Sequence, residues 1–344
     1  MSDPGTWITW LLIGALKLQG PTLAEPEMIA ITGRDPSWEI YEDYRYAYEN
    51  YGYLFLTEEE GMEILEDTGM SAADQAAEGV IPAGEPGAGV QYGLEQLDDY
   101  DMVMKQFYSV HSSAAAGPDL INARAFAEKN MQIEKDPNVP QILIYHTHSQ
   151  EAYADYGPGN TQATVVGAGN YLTELLEAKG WNVIHDTSTY DIQGGELDRN
   201  RAYTYALQGI SGILEQNPSI QVVLDVHRDG VAEGLRLISE VNGKTTARIM
   251  FFQGTSRTPD GPIEYLPNPN FADNMAFSFQ MQLMAARDYP GLTRKIYLKG
   301  LRYNLHVRPR ASLIELGAQT NTWQEARNAV EPLAELLDRV LQGN

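Results

Sequence analysis

The stretch Gln141-Ile-Leu-Ile-Tyr-His-Thr-His-Ser-Gln-Glu151 opens on an unbroken apolar run and closes on polar residues able to do chemistry. Pro140 stands in front of it. A short apolar run of this kind predicts a strand buried on both faces, as in the interior of a parallel sheet. The pattern returns at Ile220-Gln-Val-Val-Leu-Asp-Val-His-Arg-Asp229 and, shorter, at Ser312-Leu-Ile-Glu-Leu-Gly317. All three carry a histidine or a glutamate at or near the carboxyl end.

Helical segments alternate with these strands. Ala163 to Lys179 predicts a helix, with Gly180 placed to end it. Trp181 to His185 predicts a strand, and Asn200 to Asn217 a helix stopped by Pro218. Leu235 to Asn242 and Thr245 to Gln253 predict a hairpin turned at Asn242-Gly243. Asn270 to Arg287 reads as a helix, Ala311 to Leu316 as a strand and Thr322 to Leu341 as a closing helix. The fold class expected is α/β, a mainly parallel twisted sheet with helices on both faces. Such sheets bind ligands at the carboxyl ends of their strands.

His148, Glu151 and His227 form a set of two histidines and one carboxylate. That is the donor complement of a zinc site with one position left for water. Glu315, flanked by Ile314 and Leu316, is the expected general base. Residues two apart on a strand share a face, so His146 is expected to point with His148, behind the ligands or toward substrate. Asp225 shares a face with His227 and can orient its ring or pair with Arg228. His185 ends a strand and is a reserve ligand. The third ligand thus stays open between Glu151, another acid, His146 and His185. His306 lies in the basic run Arg302-Tyr-Asn-Leu-His-Val-Arg-Pro-Arg310, a loop that can face substrate; His111 has no evident role.

Composition narrows the partners. The 344 residues carry 47 acids against 24 bases, a formal net charge of −23. No basic footprint for nucleic acid is present, and polybasic membrane attachment is disfavoured. The chain has no cysteine, so a metal would have to be held by nitrogen and oxygen. The apolar run Trp7-Ile-Thr-Trp-Leu-Leu-Ile-Gly-Ala-Leu16 is too short to span a bilayer and lacks preceding Lys or Arg. Three readings compete there: a packing helix, which we favour, an interfacial segment, and the remnant of an export segment. The tyrosine- and acid-rich segment from Trp38 to Tyr53 suits a surface-packed helix or loop, or an aromatic platform for sugars. Ala, Gly, Pro and acids dominate from Gly69 to Gln96. The expected organisation is a variable N-terminal region over 1–68, a flexible acidic linker over 69–100 and a catalytic domain over 130–344. Asp101 to Phe107 is expected to add a short helix or strand, and Asn122 to Lys135 a helix leading into that domain.

The motifs Ile144-Tyr-His-Thr-His-Ser-Gln-Glu-Ala-Tyr153, Leu224-Asp-Val-His-Arg-Asp229, Tyr303-Asn304 and Leu313-Ile-Glu-Leu-Gly317 with Asn321-Thr322 resemble, in order, those of the stage II sporulation protein P family. The resemblance runs from about Pro140 onward. It implies a fold like that of zinc-dependent N-acetylmuramoyl-L-alanine amidases, with Zn2+ as cofactor. It implies peptidoglycan as substrate, cut at the N-acetylmuramoyl-L-alanine amide and also at peptide cross-links, during engulfment of the forespore. It carries His148 and His227 over as zinc ligands and Glu315 as the catalytic residue; Asn304, with Arg228, is a further candidate to stand behind the ligands or to meet substrate. The implied partners are stage II sporulation proteins D and M, and the implied place is outside the cytoplasm, at the septal or engulfing membrane facing the wall. Two features depart from the pattern. The helix start at Asn160-Thr-Gln-Ala163 offers no acid, where the wider amidase superfamily takes its zinc glutamate, and no convincing transmembrane segment is seen. Competing readings are a zinc carboxypeptidase-like peptidase and a non-catalytic wall-binding module.

Overall fold

The computed structural model describes residues 89–343, with Pro158 and Asn200 excepted. The expectations for 1–68, including the apolar and tyrosine-rich stretches, and for the linker over 69–88 fall outside the described residues. Seven strands build one sheet: β1 (Tyr108–Val110), β2 (Ile142–Tyr145), β3 (Val183–His185), β4 (Val222–Asp229), β5 (Ile249–Gly254), β6 (Ile296–Lys299) and β7 (Ala311–Ala318). Their order is β1-β6-β5-β7-β4-β2-β3. Every neighbouring pair is parallel except β5 with β7. The sheet is therefore mainly parallel, as expected, with a single reversal of direction inside it.

Among the described residues six helices accompany it: α1 (Tyr100–Phe107), α2 (Ala123–Glu128), α3 (Val165–Ala178), α4 (Ala202–Gln216), α5 (Phe271–Asp288) and α6 (Trp323–Gln342). Alternation within the strands sorts residues between two faces. Ile142, Ile144, Val222, Leu224, Val226, Ile314 and Leu316 join Leu172 and Leu176 of α3, Phe277 and Phe279 of α5 and Leu333 and Leu337 of α6 in one apolar core. The intervening positions of β4 and β7, Asp225, His227, Asp229 and Glu315, point to the opposite face, and all are fully buried. Helix α4 lies on that second face, where Tyr203 reaches the ring of His227. Thus one strand face makes the core and the other makes the candidate site.

The hairpin forms from Ile238–Val241 and Lys244–Ala247, with Asn242 and Gly243 both at positive φ, as a tight primed turn requires. Three expectations need correction. The linker predicted up to residue 100 is already docked from its first described residues: Val90 N–H donates to Ala286 O at 2.9 Å, Tyr92 packs edge-on against Phe107, and Leu97 is buried in the core. Likewise, the folded unit does not begin at 130, because β1 forms an edge of the sheet and Val103, Phe107 and Phe126 are core residues. The helix predicted over 122–135 stops at Glu128. Gln280 Nε2 donates to the Phe126 and Lys129 carbonyls at 2.8 and 2.7 Å, and the chain continues extended from Lys129. Strands β1 and β6 were not expected. Among the described residues no helix is long and apolar enough to cross a membrane.

Candidate metal centre

Strand β2 ends at Tyr145, and the chain then turns sharply through Thr147 and His148. Asp225 of β4 fixes that turn: its carboxylate accepts from Thr147 N–H at 2.9 Å and from Thr147 Oγ1 at 2.6 Å. A second carboxylate, Asp191, accepts from Ser149 Oγ at 2.6 Å and Gln150 N–H at 3.0 Å. Pinned at both points, the turn delivers His148 and then Glu151 toward β4, where His227 stands.

His148, Glu151 and His227 come together as a fully buried group whose donor atoms lie within 4.8 Å of one another. His148 Nδ1 lies 3.5 Å from Glu151 Oε1, and His227 Nδ1 lies 3.5 Å from Glu151 Oε2. These separations are long for hydrogen bonds, yet a tetrahedral ion with ligands roughly 2.0–2.1 Å away would space them at about 3.4 Å. Arg228 N–H donates to Glu151 Oε2 at 3.0 Å, while its guanidinium bonds the carbonyls of Ala152 and Asp229. His227 Nε2 lies 2.8 Å from Asp225 Oδ1, off line for a well-formed hydrogen bond.

Several buried polar atoms here have no hydrogen-bond partner: His148 Nε2, both ring nitrogens of His227, both carboxylate oxygens of Glu315 and the hydroxyl of Tyr203. Buried groups left in this way are uncommon and mark a place where something else binds. Nitrogen and oxygen donors, spaced as above and without thiolate, fit zinc. Glu315 is the in-register neighbour of His227 across the β7–β4 pair. Burial pushes its carboxyl well above the ordinary range, and the charge of Asp229 adds to the effect. Glu151 goes the other way: burial opposes its charge, but His148 and His227 beside it hold its carboxyl well below the ordinary range. For His227, burial is overcome by Asp225, and the ring is raised well above its usual value. Burial keeps His148 lowered, hence neutral and ready to donate a lone pair.

Other residues singled out in the sequence fall elsewhere. His146 does not point with His148. The strand has ended before it, so alternation no longer applies; its Nδ1 pairs with Val226 O at 2.7 Å and its Nε2 with His185 Nε2 at 2.8 Å. That pair sits against Gly169 of α3, where a Cβ would meet both rings. Burial lowers His146 to about 4 and His185 to about 3. Asn304, in the left-handed conformation, donates through Nδ2 to Tyr203 O at 2.8 Å and so braces the start of α4. His306 is half-buried, and its carbonyl accepts from Asn270. His111 pairs with Ser113 near the β1 edge.

The Gly317 and Asn321-Thr322 motif is structural. Gly317 has φ 68°, and a Cβ there would lie 2.6 Å from Asn321 Oδ1. Asn321 Oδ1 accepts from Ala318 N–H at 2.9 Å, and Thr322 with Glu325 caps α6 reciprocally. Sequence reasoning missed two residues of the site. Arg199 Nη2 donates to Glu151 Oε1 at 2.8 Å and to His148 Nδ1 at 3.2 Å. Tyr203 presents its ring to His148 and His227, with centroids 5.6 and 6.5 Å away. Neither has a local signal; both precede or begin a helix whose approach to the strand ends is a tertiary fact.

The fold and this donor group define an α/β protein with a buried His-Glu-His cluster at the strand ends. The chain belongs to the stage II sporulation protein P family, whose model matches residues 99–338. Stage II sporulation protein P of Bacillus subtilis (strain 168) is 25% identical over 216 residues, 58% of this chain and 50% of that protein. The chain therefore spans about half the length of that relative. Among solved structures, the CwlD amidase from Clostridioides difficile, in complex with the GerS lipoprotein, is 13% identical and covers 59% of this chain and 100% of its own, at a TM-score of 0.40. The N-acetylmuramoyl-L-alanine amidase AmiC2 of Nostoc punctiforme is 14% identical and covers 61% and 98%, at 0.37. Likeness this loose says nothing about chemistry.

Proposed function

We propose that this protein is a zinc-dependent peptidoglycan hydrolase that cleaves the N-acetylmuramoyl-L-alanine amide during forespore engulfment, with cross-link cleavage as a second activity. The observation that carries the reading is the buried group of His148, Glu151 and His227 beside Glu315, in a chain of a sporulation family. His148, Glu151 and His227 would hold the ion. When bound, it supplies Lewis-acid polarisation of the amide carbonyl and a water acidified to near neutrality. Glu315 takes the proton of the attacking water on its carboxylate and passes it to the leaving nitrogen. Asp225 orients the His227 ring and the His148 turn together; the Arg228 N–H steadies Glu151. Burial of all four residues keeps bulk water from competing. The family likeness supports stage II sporulation proteins D and M as partners, and a place at the septal membrane on the wall side.

The test is digestion of purified peptidoglycan, with products read by mass spectrometry. An amidase frees whole stem peptides and leaves glycan strands intact. Release of a single terminal amino acid would make it a carboxypeptidase, and no release a binding module. Glu315→Gln should keep zinc and lose about 10²–10⁴-fold in turnover. His227→Ala should lose both. If Glu315→Gln lost zinc while Glu151→Gln kept it, the two acids would exchange roles.

A further inference from the structure

The Arg199 side chain bonds two members of the donor group at once. Its Nη2 lies 2.8 Å from Glu151 Oε1 and 3.2 Å from His148 Nδ1. We propose that Arg199 is a built-in competitor for the metal, its guanidinium filling in the metal-free protein the role that a cation takes over when the centre loads. The inference rests on the reading of His148, Glu151 and His227 as ligands.

Glu151 is 1% exposed, and a buried carboxylate without a compensating charge is costly. The Arg228 N–H satisfies Oε2 at 3.0 Å but brings no full charge, and the Arg228 guanidinium is committed to carbonyls. Arg199 brings a full positive charge to bonding distance of Oε1, in addition to the His227 ring 3.5 Å from Oε2. The His148 Nδ1 lone pair that accepts its N–H cannot bind a metal at the same time. A divalent ion and a guanidinium side by side would also repel strongly in a buried site. Arg199 and a metal held through His148 Nδ1 and Glu151 Oε1 therefore compete for the same two donor atoms.

The side chain has a way out. Arg199 is 22% exposed, whereas the ligands it touches are 0–1% exposed. The backbone beside it is held: Asp198 N–H donates to Asp191 O at 2.8 Å, and Asp191 is tied to the His148 turn through Ser149 and Gln150. The segment stays next to the site while the guanidinium swings away. Metal loading thus requires one side-chain exchange, and metal loss is answered by the return of a charge that keeps the donor group folded.

The experiment uses the full chain as wild type, Arg199→Ala and Arg199→Gln. Zinc affinity is measured by competition with a chromophoric chelator, and melting temperature with and without zinc. Both variants should bind zinc roughly tenfold or more tightly than wild type, the size expected when a charge-assisted bond that opposes binding is lost. Their metal-free forms should melt below metal-free wild type, and zinc should close the gap. Glutamine keeps the aliphatic stem and a polar end group without the charge, so it decides the matter if the alanine variant fails to fold. Zinc affinity equal to or weaker than wild type in a folded Arg199→Gln overturns the competitor and leaves the metal centre standing. Failure of all three proteins to bind zinc overturns the metal centre and this inference with it.

Discussion

Two buried glutamates sit in one site, and their environments push them in opposite directions. Glu151 is held ionised by the histidines beside it, whereas burial and Asp229 keep Glu315 protonated. The second shift has a sign that can be tested. Below pH about 4.3 the carboxyl is protonated in both folded and unfolded chains and contributes no pH dependence. Above it, the unfolded chain releases the proton while the folded chain keeps it, so stability falls as pH rises, up to the folded pKa. Glu315→Gln removes this penalty. In metal-free protein its melting temperature relative to wild type should therefore climb steadily from pH 5 to pH 8; a difference that stays flat would show that Glu315 is not held protonated. Zinc should shrink the climb, because a nearby dication favours the ionised form that a base must adopt. At this scale the sequence was informative where chemistry coincides with a strand end. His148, Glu151, His227 and Glu315 stand out there as candidates, and the fold gathers them in space. Arg199 and Tyr203 were not, because an arginine or tyrosine near a helix start carries no mark of what that helix is packed against.

Among the elements, the long buried strands and helices were legible and the short or direction-dependent ones were not. Strand β4 alternates apolar Val222, Leu224 and Val226 with Asp225, His227 and Asp229, so one pattern encodes both a core face and a site face. Strand β6 has only four residues and ends on a lysine, and β1 has three, too little for a pattern. That β5 runs against β7 is invisible locally, since alternation reads the same in both directions. The expectation for His146 failed because it extended strand periodicity past Tyr145. What the fold does instead is stack His146 and His185 against a glycine of α3. A Cβ on Gly169 would lie 2.5 Å from His185 Nε2 and 2.7 Å from His146 Nε2. Gly169→Ala should cost about 1–3 kcal/mol in denaturant unfolding, the usual penalty of overpacking. His185→Ala placed on top of it should restore part of that loss, because it makes room for the methyl group. Simple additivity of the two losses would count against this contact. Zinc affinity should not change in either variant, since the pair stands apart from the donor group.

On the scale of the whole molecule, the site depends on a sheet whose far edge is built from residues well upstream of the first site motif. The order β1-β6-β5-β7-β4-β2-β3 places β1 at one edge and the site-bearing β7, β4 and β2 toward the other. A boundary at 130 looked natural in the sequence because the site motifs and the strong α/β alternation begin after Pro140. Physically that boundary cuts through the core. It removes Leu97, Val103, Phe107, Tyr108 and Phe126, all of them buried, and strips β6 of its outer parallel partner β1. Phe107 and Phe126 each pack edge-on against Phe279 of α5, at centroid distances of 5.2 and 6.4 Å. Losing a single large apolar side chain of this kind typically costs about 3–5 kcal/mol, against a total domain stability of about 5–15 kcal/mol. A fragment beginning at residue 130 should therefore fail to fold cooperatively, and β6, left as a bare edge, should promote aggregation. A fragment beginning at residue 89 retains every element described and should melt in one transition, with zinc affinity matching the full chain. Circular dichroism melts and the chelator competition on the two fragments check both statements. A stable, zinc-binding fragment from 130 would mean that the site half of the sheet folds without its far edge, and that α1, β1 and α2 only lean on a domain complete in itself.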